Sequence, residues 1–214
     1  MSEAPVESGV DGVQAAPWRT GVRHFDVITS IAAIFISAVS LYVAIEHGKT
    51  ERDLVAANVW PFARAILNNG GSPDGLIDIG VSNGGVGPAK IRSFELFYAG
   101  RPVRSSVDLL RKCCGLPNDP AAVHSALPRG AFLYSVVDNT VLRPGENTVV
   151  LQIDRKRTGQ LGERLALAVT RQISFRVCYC SVLDQCWRSD LRNIQVEPVR
   201  QCTPPDHPYD PNGR

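Results

Sequence analysis

The chain lacks a charge excess of either sign: 23 basic side chains stand against 21 acidic ones, a net +2. Dedicated nucleic-acid binders carry a strong basic surplus, so no nucleic-acid partner is expected. Histidine is scarce, at four residues. His24 and His47 flank an apolar run, His124 stands beside Ser125 in an expected loop, and His207 lies in the C-terminal stretch. No G-x-S-x-G, H-E-x-x-H or paired-carboxylate pattern accompanies them, so acyl-transfer and zinc-peptidase chemistry have no parts to work with. The glycine-rich stretch from Asn83 to Gly87 lacks the Gly-Lys-Ser/Thr ending of a phosphate loop, and Pro88-Ala-Lys-Ile leads into a strand where that loop needs a helix. No catalytic, cofactor or metal residue is therefore expected, and the chain reads as non-enzymatic. Internal repeats are absent too.

What is present begins with an apolar run at 27–45, opening at Val27 and closing at Ile45, with no charge, proline or glycine inside it. At about 1.5 Å per residue it reaches about 28 Å, close to the roughly 30 Å of a bilayer's hydrocarbon core. Thr29, Ser30, Ser37 and Ser40 do not forbid insertion, because their hydroxyls can return to helix carbonyls. A signal peptide is the rival, but Ile45-Glu46-His47 offers no small-residue cleavage site. The expected layout is a disordered tail at 1–24, a transmembrane helix at 25–46 and a juxtamembrane helix at 47–58. A β-sandwich domain at 59–202 and a disordered tail at 203–214, rich in proline, complete it.

Beyond Pro61 the pattern changes to short extended runs broken by turn residues. Strands are expected at 59–67, 76–83, 89–98, 131–137, 147–154, 172–180 and 192–199. Ser105 caps an expected short helix at 105–113, and Leu161, Leu165 and Ala168 at helical spacing point to a second between Thr158 and Arg171, with 165–170 equally readable as extended chain. The fold class is mainly β, an antiparallel sandwich with one or two short helices. Gly84, Gly85 and Gly87 are expected to supply left-handed backbone at the connection between two strands. Arg155-Lys156-Arg157 reads as a solvated loop.

All six cysteines (Cys113, Cys114, Cys178, Cys180, Cys186 and Cys202) lie beyond the apolar run. An even number there suits disulfides in an oxidising compartment, although spacing does not choose the pairing. If a two-residue turn at Leu183-Asp184 joins the last cysteine strands, Ser181 faces Cys186 and Cys180 faces Trp187. Cys178 and Cys180 then share one strand face roughly 7 Å apart, too far to bridge each other, so each needs a partner elsewhere: Cys186, Cys113, Cys114 or Cys202. C-x-C-x₅-C is not a usual zinc spacing, and adjacent Cys113-Cys114 lacks the C-x-x-C redox geometry. Arg19 and Arg23 before the run balance Lys49 and Arg52 after it, so flanking charge gives no orientation. The cysteines favour an extracytoplasmic domain.

Val81-Ser-Asn-Gly-Gly-Val-Gly-Pro-Ala89, followed by Ile91 to Tyr98, a Gly100 turn, Leu142-Arg-Pro-Gly-Glu146 and Val149-Val150-Leu151, resembles bacterial cell-adhesion-related Ig-like modules. The apolar span, Val59-Trp60-Pro61, that glycine turn, Cys178-Tyr-Cys-Ser181 and Cys186-Trp187 are together similar to a group of uncharacterised bacterial single-pass membrane proteins. The first resemblance implies an Ig-like fold; the second brings no activity with it. The expectation is a single-pass cell-membrane protein presenting a non-enzymatic interaction or accessory module to an unknown protein partner. The alternatives are a cytoplasmic-facing sensor with reduced cysteines, or a thiol or metal protein using the cysteine hairpin.

Overall fold

A computed structural model describes residues 23–210. The expected tail at 1–24 thus falls almost wholly outside the described residues, as do residues 211–214 of the other. The chain divides into two compact units at Arg52. Helix α1, Arg23–Asn58, covers both expected N-terminal helices without a break. It is long and apolar enough to cross a membrane, and none of its most apolar stretch is buried. The hydroxyls behave as their spacing predicts. Thr29 donates to the Phe25 carbonyl at 2.9 Å, Ser30 to Asp26 at 2.6 Å and Ser37 to Ala33 at 2.7 Å. These three hydroxyls are satisfied within the helix, as an apolar surround requires.

The second unit is built on two antiparallel sheets, neither of them closed. In the first, β1 (Ala63–Asn69), β2 (Leu76–Asn83), β7 (Asn147–Asp154) and β5 (Phe132–Tyr134) lie in the order β1-β2-β7-β5. In the second, β10 (Glu197–Val199), β9 (Cys186–Ser189), β8 (Ile173–Cys180), β3 (Ala89–Tyr98) and β4 (Arg101–Val103) follow one another. β6 (Thr140–Leu142) pairs with the first residues of β3, on Ala89, Lys90 and Ile91. Strand periodicity sorts the side chains of β8. Ile173, Phe175, Val177 and Tyr179 enter the core, which Ile77, Ile79 and Val81 of β2 reach from the other sheet. Arg176, Cys178 and Cys180 take the opposite face.

Two helices complete that core. α2 (Ser106–Cys114) starts where Ser105, in extended backbone, accepts the Asp108 N–H at 3.1 Å, and stops at Gly115 in left-handed backbone. It buries Leu109 and Leu110 completely. α5 (Gln160–Arg171) buries Leu161, Leu165 and Val169, one amphipathic stripe. Arg164 of α5 donates to the Cys114 carbonyl at 3.2 Å, tying the end of α2 to its neighbour.

Several expectations need correction. Arg155-Lys156-Arg157 forms a helical turn, α4 (Arg155–Thr158), capped by Asp154. Its charges are engaged: Arg155 with Glu163 at 2.6 Å, Lys156 with the Pro73 carbonyl at 2.7 Å, and Arg157 with the Arg129 carbonyl at 2.8 Å. His124 lies in a short helix, α3 (Pro120–Ala126), which Asp119 caps and Pro120 opens. Residues 203–210, expected to be a disordered tail, lie against the domain in this structure. Tyr209 is only 4% exposed, sits edge-on to Phe94 with ring centroids 5.6 Å apart, and shares a 2.5 Å hydrogen bond with Ser106. Proline-rich composition weakens secondary structure, but it does not prevent an aromatic ring from anchoring the chain.

Residues 200–210 thus form a strap over the outer face of the second sheet. Cys202 is paired with Cys178 on β8, the His207 N–H donates to Glu95 on β3 at 3.1 Å, and the Asp210 N–H donates to the Arg104 carbonyl beyond β4 at 2.7 Å.

Candidate functional site

The residues singled out by sequence gather in two places. The first is the corner at Asn83, where the glycines are needed for a reason other than the expected one. None of Gly84, Gly85 and Gly87 has positive φ. They permit close approach instead. A Cβ at Gly87 would overlap the Val59 backbone, and one at Gly85 would overlap backbone atoms of Trp60, Pro61 and Phe62. The N–H groups of Val86 and Gly87 both donate to the Trp60 carbonyl, at 3.0 and 3.1 Å, which holds the two segments together. At Gly84 the nearest atom is the end of the flexible Arg64 side chain, 2.9 Å away.

Asn83 organises this corner, and nothing in the sequence reading had given it that role. It is 1% exposed, and its side chain makes four hydrogen bonds. Oδ1 accepts from Phe62 at 3.1 Å and Gly85 at 3.0 Å. Nδ2 donates to the carbonyls of Gly87 at 2.7 Å and Leu142 at 3.0 Å. Its backbone bonds to Glu146 and Gly145 fix the Pro144-Gly145 turn. The Asn-Gly-Gly string signals a turn, but the burial of its first residue is visible only in three dimensions. Gly87→Ala is expected to destabilise the domain by about 1–3 kcal/mol, the usual cost of forcing atoms into packed space, and Gly84→Ala by well under half as much. Equilibrium urea unfolding of the two variants checks the order.

The second place is the outer face of the second sheet beneath the strap. The hairpin register differs by one residue from the expected one: Cys180 faces Cys186, and Tyr179 faces Trp187. The turn is longer than two residues because the Asp184 N–H donates to the Ser181 carbonyl, Ser181 donates back to Gln185, and Asp184 takes left-handed backbone. That is a three-residue loop with a left-handed closing position. Lys90 holds Asp184 at 2.9 Å, and this contact lowers the Asp184 pKa, first through the hydrogen bond and then through charge.

The six cysteines lie in three pairs at disulfide distance, with none left over. Cys178 and Cys202 have Cα atoms 5.7 Å apart, and Cys180 and Cys186, directly opposite across the hairpin, 4.0 Å. Cys113 pairs with its neighbour Cys114 at the end of α2. Two of the three pairs are one cluster: the sulfurs of Cys180, Cys186 and Cys202 lie within 4.8 Å of one another. They could converge on a soft metal ion only after reduction, since a metal ligand must be a thiolate.

Around this cluster the buried face is polar. Glu95 is 3% exposed and meets Arg176 at 3.3 Å. Asp138 lines the adjoining groove, and its Oδ1 has no hydrogen-bond partner. Burial pushes its pKa up to about 6; the Phe94 backbone pulls the other way and Glu95's charge adds a little. Searched against known protein families, curated proteins and solved structures, the chain matches none.

Proposed function

We propose that the chain is a single-pass cell-membrane protein whose helix anchors an extracytoplasmic Ig-like β-sandwich, serving as a non-enzymatic interaction or accessory module for a protein partner. The observation that carries this reading is the contrast between the two parts of the chain. The helix exposes Ile31, Ile34, Phe35, Ile36 and Leu41, apolar surface that water does not tolerate in such a run. All six cysteines lie in the other part, every one within disulfide distance of another. The Ig-like assignment is supported by two antiparallel sheets sharing one core, and by the glycine and proline-glycine turns that resemble bacterial adhesion-related modules. α2 and α5 are additions to such a sandwich.

A partner would meet the edges and loops. β5 is the outermost strand of the first sheet, and Leu133 and Tyr134 on it are exposed. Ile36→Arg should lower the integrated fraction, since an arginine near mid-bilayer costs roughly 2.5–3.5 kcal/mol on the insertion scale. Alkaline extraction of membranes measures it. Wild-type protein found in the soluble fraction without proteolysis would refute the anchor outright. The compartment is tested by trapping thiols rapidly in intact cells. Blocked cysteines support the extracytoplasmic domain, and freely reactive ones place it where glutathione keeps thiols reduced.

A further inference from the structure

We propose that Cys178, Cys180, Cys186 and Cys202 form a thiol–disulfide exchange site for a low-molecular-weight thiol, with Cys180 as the relay sulfur that passes the strap from one partner to another. The anchoring observation is a contact between two separate disulfides: Cys180 Sγ lies 3.8 Å from Cys202 Sγ, although Cys180 is bonded to Cys186 and Cys202 to Cys178. Four sulfurs in one place give two disulfides a second way to pair. The strap needs no large excursion to use it, because Cys178 and Cys180 project from the same face of β8 and Cys202 already touches both.

A second observation is access. An open groove of about 660 Å³ is lined by Cys180, Cys186 and Cys202, and by Arg92 and Arg200. A disulfide that served only as a staple has no need of a groove. The groove carries two guanidinium groups, Arg92 and Arg200, and two carboxyl groups, Asp138 and Asp184, of which Asp184 is already held by Lys90 at 2.9 Å. Such a mixed lining suits a small thiol that carries both an amine and carboxylates, and the guanidinium groups are the ones that favour thiolate over thiol.

The steps balance. The incoming thiol loses its proton to water, and its thiolate attacks Cys186 Sγ. A mixed disulfide forms there, the Cys180–Cys186 bond breaks, and its electron pair leaves Cys180 as a thiolate. Cys180 then attacks Cys202 Sγ; a Cys180–Cys202 bond forms and the Cys178–Cys202 bond breaks, with the electron pair passing to Cys178. A second small thiol removes the first from Cys186 as a symmetrical disulfide. Two small thiols have then been oxidised, and the protein holds thiols at Cys178 and Cys186 with the strap tied through Cys180.

This site rests on the oxidised starting state proposed above. Its test uses the full chain in detergent micelles, exposed to graded reduced glutathione, quenched with an alkylating agent at low pH and mapped by peptide mass spectrometry. Cys113 and Cys114 are scored separately. The expected result is glutathione on Cys186, a Cys180–Cys202 cross-linked peptide, and about one Cys178 thiol freed per cross-link formed. Alkylated Cys180 with Cys178–Cys202 intact at every glutathione level overturns the proposal. So does joint reduction of all four cysteines with no Cys180–Cys202 peptide. In Cys186→Ser the relay sulfur starts free, and the Cys180–Cys202 peptide should appear without added thiol; its absence from folded variant also overturns the site. If the variant does not fold, the wild-type titration decides alone. Wild-type protein isolated with these four cysteines reduced overturns this site and the oxidised-domain reading together, whereas the other results overturn the site only.

Discussion

Asn83→Ala should destabilise the domain by about 3–5 kcal/mol, enough to lower its melting temperature by roughly 10–20 °C. The side chain replaces water for four backbone groups at once: the N–H groups of Phe62 and Gly85 and the carbonyls of Gly87 and Leu142. Each buried group left without a partner costs about 1–3 kcal/mol, and the cavity left by the amide admits water to only some of them. Asn83→Asp separates hydrogen bonding from size. The aspartate has the same shape, but it turns an oxygen toward the Gly87 and Leu142 carbonyls where the amide had donated. It should be no better tolerated than alanine at neutral pH. An Asn83→Ala variant losing less than about 1 kcal/mol would show that the 59–62 segment, the glycine loop and the Pro144-Gly145 turn are held by something else.

The second large effect concerns the strap. Removing Cys178 and Cys202 together, as a double alanine variant, should cost about 3 kcal/mol in the chain-entropy picture, because that bridge spans a sequence separation of 24. The Cys180/Cys186 double variant should cost about 2 kcal/mol for its separation of 6, and the Cys113/Cys114 variant about 1 kcal/mol or less for its separation of 1. The first variant also loosens Tyr209, whose ring packs on Phe94, so its loss should exceed the entropic figure. Thermal melts of the three variants, with and without reductant, check the order. Reductant should then have least effect on the variant that was most destabilised.

Much of the sheet could be read directly. The strands expected at 76–83, 89–98 and 147–154 coincide with β2, β3 and β7 to the residue, since Gly, Pro or Asn marks their ends and branched apolar residues fill them. The run expected at 59–67 opens later, at Ala63, because residues 59–62 are drawn into the Asn83 corner. Of 131–137 only Phe132–Tyr134 is strand, and of 192–199 only Glu197–Val199. β4 and β6 escaped notice because strands of three residues carry too little alternation to stand out; they exist because β3 offers them hydrogen bonds. Asp119 as a cap and Pro120 in the first turn are the sequence signals of α3.

The candidate site was legible in part. The cysteines pointed to the right face of the right strand, and Cys202 and Cys186 were among the partners considered for Cys178 and Cys180. The meeting of two disulfides at 3.8 Å depends on the path of the strap, and composition argued for disorder there. Tyr209 was the residue that could have said otherwise. A lone large aromatic among prolines is an anchor if the fold provides a slot, and only the fold shows the slot beside Phe94 and Ser106.

The central claim is that the helix holds an oxidised domain on the outer side of the membrane. It is tested most directly by fusing alkaline phosphatase to the C-terminus in one strain and green fluorescent protein in another, with both fusions membrane-bound. The account predicts an active phosphatase, which needs its own disulfides and therefore an oxidising compartment, and a dark fluorescent fusion. A bright fluorescent fusion with an inactive phosphatase would contradict it, and would leave the six cysteines as packed thiols in a cytoplasmic-facing domain.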